Sequence, residues 1–265
     1  MEQVIRVRVD SSSKPLEYLT DQPIKIKMQV IVETALGVEL GIVSALGAEV
    51  KQELPKVIRQ ANKADINAYS QNKTKAKTFL QKTRELAKKH NLEMKPFDAC
   101  LSLDEKKLLV FYLAENRVDF RELVKEMAFS FKKRIELRQV GPRDQVQKMC
   151  SVGICGKECC CGKFLTDFNH VSIKMAKVQG LSLMPNNITG ACGKLLCCLE
   201  YENKDYLDVF KQMPQINSTV KTPDGKGVVV FNNLIKKLVQ VKIDDEIKEY
   251  PIEIILKHNK GKTNA

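Results

Sequence analysis

Cys155-Gly156-Lys157-Glu158-Cys159-Cys160-Cys161 and Cys192-Gly193-Lys194-Leu195-Leu196-Cys197-Cys198 are two copies of one pattern, C-G-K-x-x-C-C, starting 37 residues apart. Eight of the nine cysteines lie between Cys150 and Cys198. The repeat therefore reads as a two-lobed thiol site around which the rest of the chain is arranged. Thiolate sulfur suits zinc, copper(I) and iron–sulfur clusters. Glycine directly after the lead cysteine lets the backbone turn tightly, so that later sulfurs can converge. Adjacent side chains diverge, to opposite faces of a strand or by about 100° around a helix. Each vicinal pair is accordingly expected to supply one ligand beside its lead cysteine, Cys155 or Cys192. Two ligands per copy make four thiolates, the set of an all-thiolate zinc site or a 4Fe–4S cluster.

Other roles for cysteine weigh against this. A free cysteine often packs as a small hydrophobe. Disulfides are disfavoured in a chain expected to be cytoplasmic. The spacing matches neither the C-x2-C pairs of zinc ribbons nor a ferredoxin run, since a plant-type run would need a cysteine where Lys163 stands. Spacing thus supports ligation and leaves iron and zinc both open.

The 265 residues suffice for one large or two small domains, and 43% hydrophobic with 29% charged residues is globular composition. Met1 to Asp10 alternates polar and apolar residues without an apolar core, so no signal peptide is expected. No apolar run reaches the length of a membrane span. The net charge of +12 suggests an anionic partner, RNA or DNA before membrane. Residues 57–95 carry ten Lys/Arg against three Asp/Glu, which makes Lys73, Lys75, Lys77, Lys88 and Lys89 the candidate nucleic-acid contacts. The same charge pattern also fits a solvated helix face. The three histidines, His90, His170 and His258, are far apart, and H-E-x-x-H, P-loop and G-x-S-x-G motifs are absent, so no catalytic residue is expected. His170, between the copies, is a minor candidate ligand.

In chain order, residues 3–9, 24–32 and 38–46 alternate as strands. Pro55 opens a helical pattern over about 56–90. Residues 97–103 and 107–113 form a hairpin pattern, a helix follows from Asp119, and 134–140 is strand again. Short helices are expected near 171–177 and over 193–210. From 216 the period is two, with strands at 220–222, 228–231, 238–243 and 250–255 and glycine turns, the pattern of a small barrel-like module. The tail from Lys257 reads as frayed. The expected class is α+β, in three parts. These are an N-terminal β/α+β region over 1–140 carrying the long basic helix, a cysteine-rich helical metal-binding region over 141–213, and a small β module with a basic tail over 214–265.

At both cysteine copies the chain resembles the bacterial YaaT or RicT family. The resemblance takes in Val171-Ser172-Ile173-Lys174-Met175-Ala176-Lys177, Leu181-Ser182-Leu183-x-Pro185 and the run from Ile188 through Glu202. Upstream it includes Asp119 to Val124 and Arg134 to Arg138. The resemblance implies a non-catalytic cytoplasmic subunit that joins RicA- and RicF-type proteins, carries 4Fe–4S clusters, and acts with ribonuclease Y in mRNA processing. It also implies effects on sporulation, competence and biofilm formation. Carried over by motif, the ligands are Cys155, Cys160, Cys161, Cys192, Cys197 and Cys198. Three features depart from the family pattern: the extra thiol Cys159, the Ser151-Val152-Gly153-Ile154 lead-in, and lysine where arginine is usual in both copies. Two rivals remain, a zinc protein that binds RNA directly and a thiol redox protein.

Overall fold

The computed structural model describes residues 3–47 and 54–258. The fold is α+β, and the chain divides into two compact units, one ending at Ser151 and the other starting at Val152.

The first unit opens with β1 (Gln3–Arg8), β2 (Leu16–Thr20), β3 (Gln29–Thr34), β4 (Gly37–Leu46) and the two-residue β5 (Arg59–Gln60). They form one sheet in the order β2-β1-β4-β3-β5 with antiparallel neighbours. Alternation puts Ile5, Val7, Val30, Val32 and Val43 into one buried cluster with Tyr18. The helix α1 (Lys63–Lys89) starts later than the sequence pattern suggests, for two reasons. Arg59 and Gln60 are held against β3, and Asn62 and Asp65 close a reciprocal cap at the helix start. Arg59 pairs with the Asp65 carboxylate and holds it below the usual carboxylate range.

A second sheet holds β6 (Lys95–Leu101), β7 (Lys107–Leu113) and, after α2 (Arg121–Phe131), β8 (Arg134–Gln139). The hairpin β6–β7 is antiparallel as its pattern suggests, whereas β8 runs parallel to β7 because α2 crosses over between them. The central strand β7 is buried on both faces. Leu108, Val110 and Tyr112 pack under α1 and α2 with Leu123, Met127 and Phe131, while Leu109 and Phe111 pack with Leu36 and Cys100. That explains the near-continuous apolar run Leu108 to Leu113.

The next helix, α3 (Pro142–Lys148), lies beyond the expected boundary at Gly141 but packs within the first unit. Gln147 Nε2 donates to the Ser13 carbonyl and Lys148 Nζ to the Asp10 carbonyl.

The second unit begins with the cysteine lobe. Its helices are all short: α4 (Cys160–Lys163), α5 (Ile173–Val178), α6 (Pro185–Ile188), α7 (Cys197–Tyr201) and α8 (Asn203–Phe210). The helix expected over 193–210 is thus two pieces preceded by a turn. The unit ends in an antiparallel sheet, β12-β11-β10-β9, made of β9 (Thr219–Thr222), β10 (Gly225–Asn233), β11 (Leu238–Ile243) and β12 (Glu246–Pro251). The sheet stays open. Residues 252–255, read as strand from their apolar pattern, instead belong to α9 (Ile252–His258), which buries Ile252 and Ile255 against Val220, Val229 and Val239. Most of the tail expected to fray lies outside the described residues.

Candidate metal centre

The two cysteine copies fold alike at their turns. In the first, Val152 bridges Glu158, Gly153 N–H donates to the Lys157 carbonyl at 2.8 Å, and Gly156 N–H donates to the Gly153 carbonyl at 3.0 Å. In the second, Thr189 bridges Leu195, Gly190 N–H donates to the Lys194 carbonyl at 2.9 Å, and Gly193 N–H donates to the Gly190 carbonyl at 2.9 Å. Each is a miniature hairpin whose three-residue loop ends on a glycine in the left-handed region, φ 74° at Gly156 and 72° at Gly193. A side chain at those two positions would strain the turn. The lead cysteine sits mid-loop at the hairpin tip. An extended residue, Cys159 or Leu196, then leads straight into a short helix whose first two residues are the vicinal cysteines.

The duplication is longer than the thiol pattern. It runs from Gly153 to Phe164 and from Gly190 to Tyr201, as G-x-C-G-K-x-x-C-C-x-x-aromatic. The helices α4 and α7 pack together, and the equivalent residues Phe164 and Tyr201 meet edge to face, with ring centroids 5.1 Å apart. Cys160 acts electrostatically on Cys198, and Cys197 acts on Cys161. Those two pairs exchange under the repeat. The two copies therefore meet through equivalent elements, α4 on α7 and Phe164 on Tyr201. The glycine two places before each lead cysteine and the aromatic at each end were not among the expected site residues. Both are visible in the sequence once the frame is extended.

The vicinal cysteines are unequal. Cys161 is buried, and burial chiefly pushes its thiol up to about 11. Burial likewise lifts Cys198 to about 11. Cys160, Cys192, Cys197 and Cys198 are half-buried, and Cys155 is exposed. Cys159 is also raised, chiefly by burial, and Cys160, Cys192, Cys155 and Glu158 are near enough to act on it, so the extra thiol lies close to both lead cysteines. His170 is exposed, and Cys150 belongs to the first unit. Cys100 is a core residue there, its thiol donating to the Asp10 carbonyl at 3.3 Å. Among the described residues no three Cys, His, Asp or Glu side chains stand at metal-holding geometry. The donor set nevertheless fits a soft metal: thiols only, on two matching hairpins, each presenting one tip cysteine and one helix-start cysteine.

The lysines do not form one face. At about 100° per residue, Lys73, Lys77 and Lys88 share one flank of α1, and Lys75 and Lys89 the other. Lys75 pairs with Glu105 at 2.5 Å, Lys89 with Glu126 at 2.6 Å, and Lys73 approaches Asp10 at 3.9 Å.

Sequence comparison agrees with this architecture. The PSP1 C-terminal conserved region matches residues 55–140, and the third domain of PSP1-like proteins matches 170–213. The chain is 40% identical over 234 residues to stage 0 sporulation protein YaaT of Bacillus subtilis (strain 168), covering 86% of this chain and 85% of that protein. It belongs to the YaaT family of PSP1 proteins. No solved structure matches it. Among the described residues no helix is long and apolar enough to cross a membrane.

Proposed function

We propose that this chain is a non-catalytic regulatory protein of the cytoplasm whose paired hairpins hold an iron–sulfur cluster. The observation that carries the reading is the duplicated hairpin-and-helix frame with thiols at equivalent places in both copies. Cys155 and Cys192 at the tips, with Cys160 and Cys197 at the helix starts, are the first candidates to hold the cluster. Cys161 and Cys198 complete the family set. The cluster would supply a redox- and oxygen-responsive cross-link between the two halves of the lobe. The chain's part is to fix the two tips, shield the inner thiols, and present a surface that differs between loaded and empty states.

The regulatory role rests on kinship with a protein named for sporulation. From the family resemblance we extend it to a complex with RicA- and RicF-type proteins that governs mRNA processing by ribonuclease Y. Ile154, Met184 and Tyr201, each more than half exposed on the lobe, support a protein-binding role, since partner proteins cover such groups. Direct RNA binding is the weaker alternative, because the basic residues of α1 are split between two flanks and partly paired.

Anaerobic purification of the full chain, alone and with co-expressed partners, tests the metal. Iron and acid-labile sulfide in equal amounts are expected. Colourless protein with one zinc after iron-replete growth would establish the zinc rival, and a folded, metal-free lobe would refute both.

A further inference from the structure

Within the first unit a cavity of about 1120 Å³ opens at the carboxyl ends of the parallel strands β7 and β8. That edge of a parallel pair is where open sheets commonly bind ligands, and the volume is ample for a metabolite. The floor is apolar: Met94 and Phe111 are buried, and Leu92 and Leu113 are half-buried beside them. Arg138, from the end of β8, supplies the polar end. Its guanidinium donates to the Ser11 carbonyl at 3.0 Å and to Glu136 at 2.7 Å. Three of its five N–H donors have no partner among the described residues.

The wall opposite is preformed. The carbonyls of Asp10, Ser11 and Ser13 are all taken up, by Lys148, Arg138 and Gln147. The serine loop is thereby pinned from three points. Lys148 is nearly buried, 3.9 Å above the Phe111 ring and 3.5 Å from Asp98, and of the other two cations lining the cavity, Lys95 and Arg138, only Arg138 carries planar, multiple donors, part of them shared with Glu136. None of these groups has a part in the thiol site.

We infer that this cavity is a binding site for a small organic oxyanion, a carboxylate or phosphate ester on an apolar body. The oxyanion takes the remaining N–H donors of Arg138, whose plane suits either group, and the body lies on Met94, Phe111 and Leu113.

The test uses the full chain with methyl-labelled methionine and three probes, naphthoate, naphthyl phosphate and the neutral naphthalenemethanol. Saturable movement of the Met94 methyl resonance is expected with naphthoate or naphthyl phosphate, and whichever binds tighter identifies the oxyanion. The Met127 methyl, in the core under α2, serves as the folding control. Arg138→Gln should weaken binding about tenfold or more, as for a lost charged hydrogen bond. Leu113→Trp, which fills the floor, should abolish it. Saturable binding of neither anion, equal binding of naphthalenemethanol, or unchanged affinity in folded Arg138→Gln would overturn the proposal. Should Arg138→Gln not fold, retained binding in Leu113→Trp overturns it alone.

Discussion

The first unit buries eight residues in the cluster of its first sheet and eight more between β7 and the helices α1 and α2. The cysteine lobe has one cluster of three, Ala176, Ile188 and Leu199. Its helices are one to two turns long, and below about 12 residues helices are marginal without outside support. What holds the lobe is local: two hairpins pinned by glycine turns, α4 on α7, and the Gln179 amide on the Leu199 carbonyl at 2.6 Å. A segment with so little apolar burial and so many thiols is of the kind that metal ligation stabilises. The first unit needs no such aid. If the proposed ligation holds, one part of the chain folds by burial and the other by ligation, and the two should then respond to different insults.

The largest effect expected is on the lobe. Cys155→Ser or Cys192→Ser removes the lead thiol of its copy, which has no sequence-adjacent cysteine to replace it. Metal content should collapse, with a loss on the order of 10 kcal/mol of lobe stability by analogy with structural zinc. Calorimetry should show the lobe transition vanish while that of the first unit stays in place. A single transition that moves as a whole would break the comparison.

Met127→Ala is the converse. It opens a cavity in a fully buried site and should cost the first unit about 2–5 kcal/mol. Iron per chain should be unchanged.

Within the vicinal pairs the contrast is finer. Cys160→Ser and Cys197→Ser should release metal more completely than Cys161→Ser and Cys198→Ser. The inner pair should mainly lose about 1–2 kcal/mol from a buried hydroxyl. Equal loss from all four would show that both members ligate.

The smallest effect is at Glu39, buried beside Ser11 and Thr34, whose hydroxyls it accepts. Burial raises its carboxyl above the ordinary value. A raised carboxyl stabilises the fold when protonated, and that contribution fades as pH rises through the folded pKa. Glu39→Gln should therefore be slightly more stable than the parent near pH 8, and the difference should close in acid, where the parent carboxyl is protonated in both states. A gain that persists in acid would refute the burial account.

Much of this was legible in the residues. Alternation in 3–9 and 134–140 marked β1 and β8, and the apolar run of β7 marked a strand, though not that α2 would set β8 parallel to it. The repeat marked the thiol site. Three features were not legible. Leu16–Thr20 does not alternate, since Tyr18, Leu19 and Thr20 are all buried. Arg59 and Gln60 are strand only because β3 offers them an edge. Ile252 and Ile255 are helical because the sheet needs a cover there.

By itself the sequence determined the class, the duplicated frame and the donor chemistry, since glycine turns and thiol spacing are local and act wherever the chain goes. Only the tertiary structure decided that Cys161 is buried while Cys160 stays half-buried. It also decided that the two copies meet through α4 and α7, that the lysines of α1 fall on opposite flanks, and that Arg138 stands over a cavity. Those outcomes depend on packing between residues far apart in the chain, and no local pattern records them.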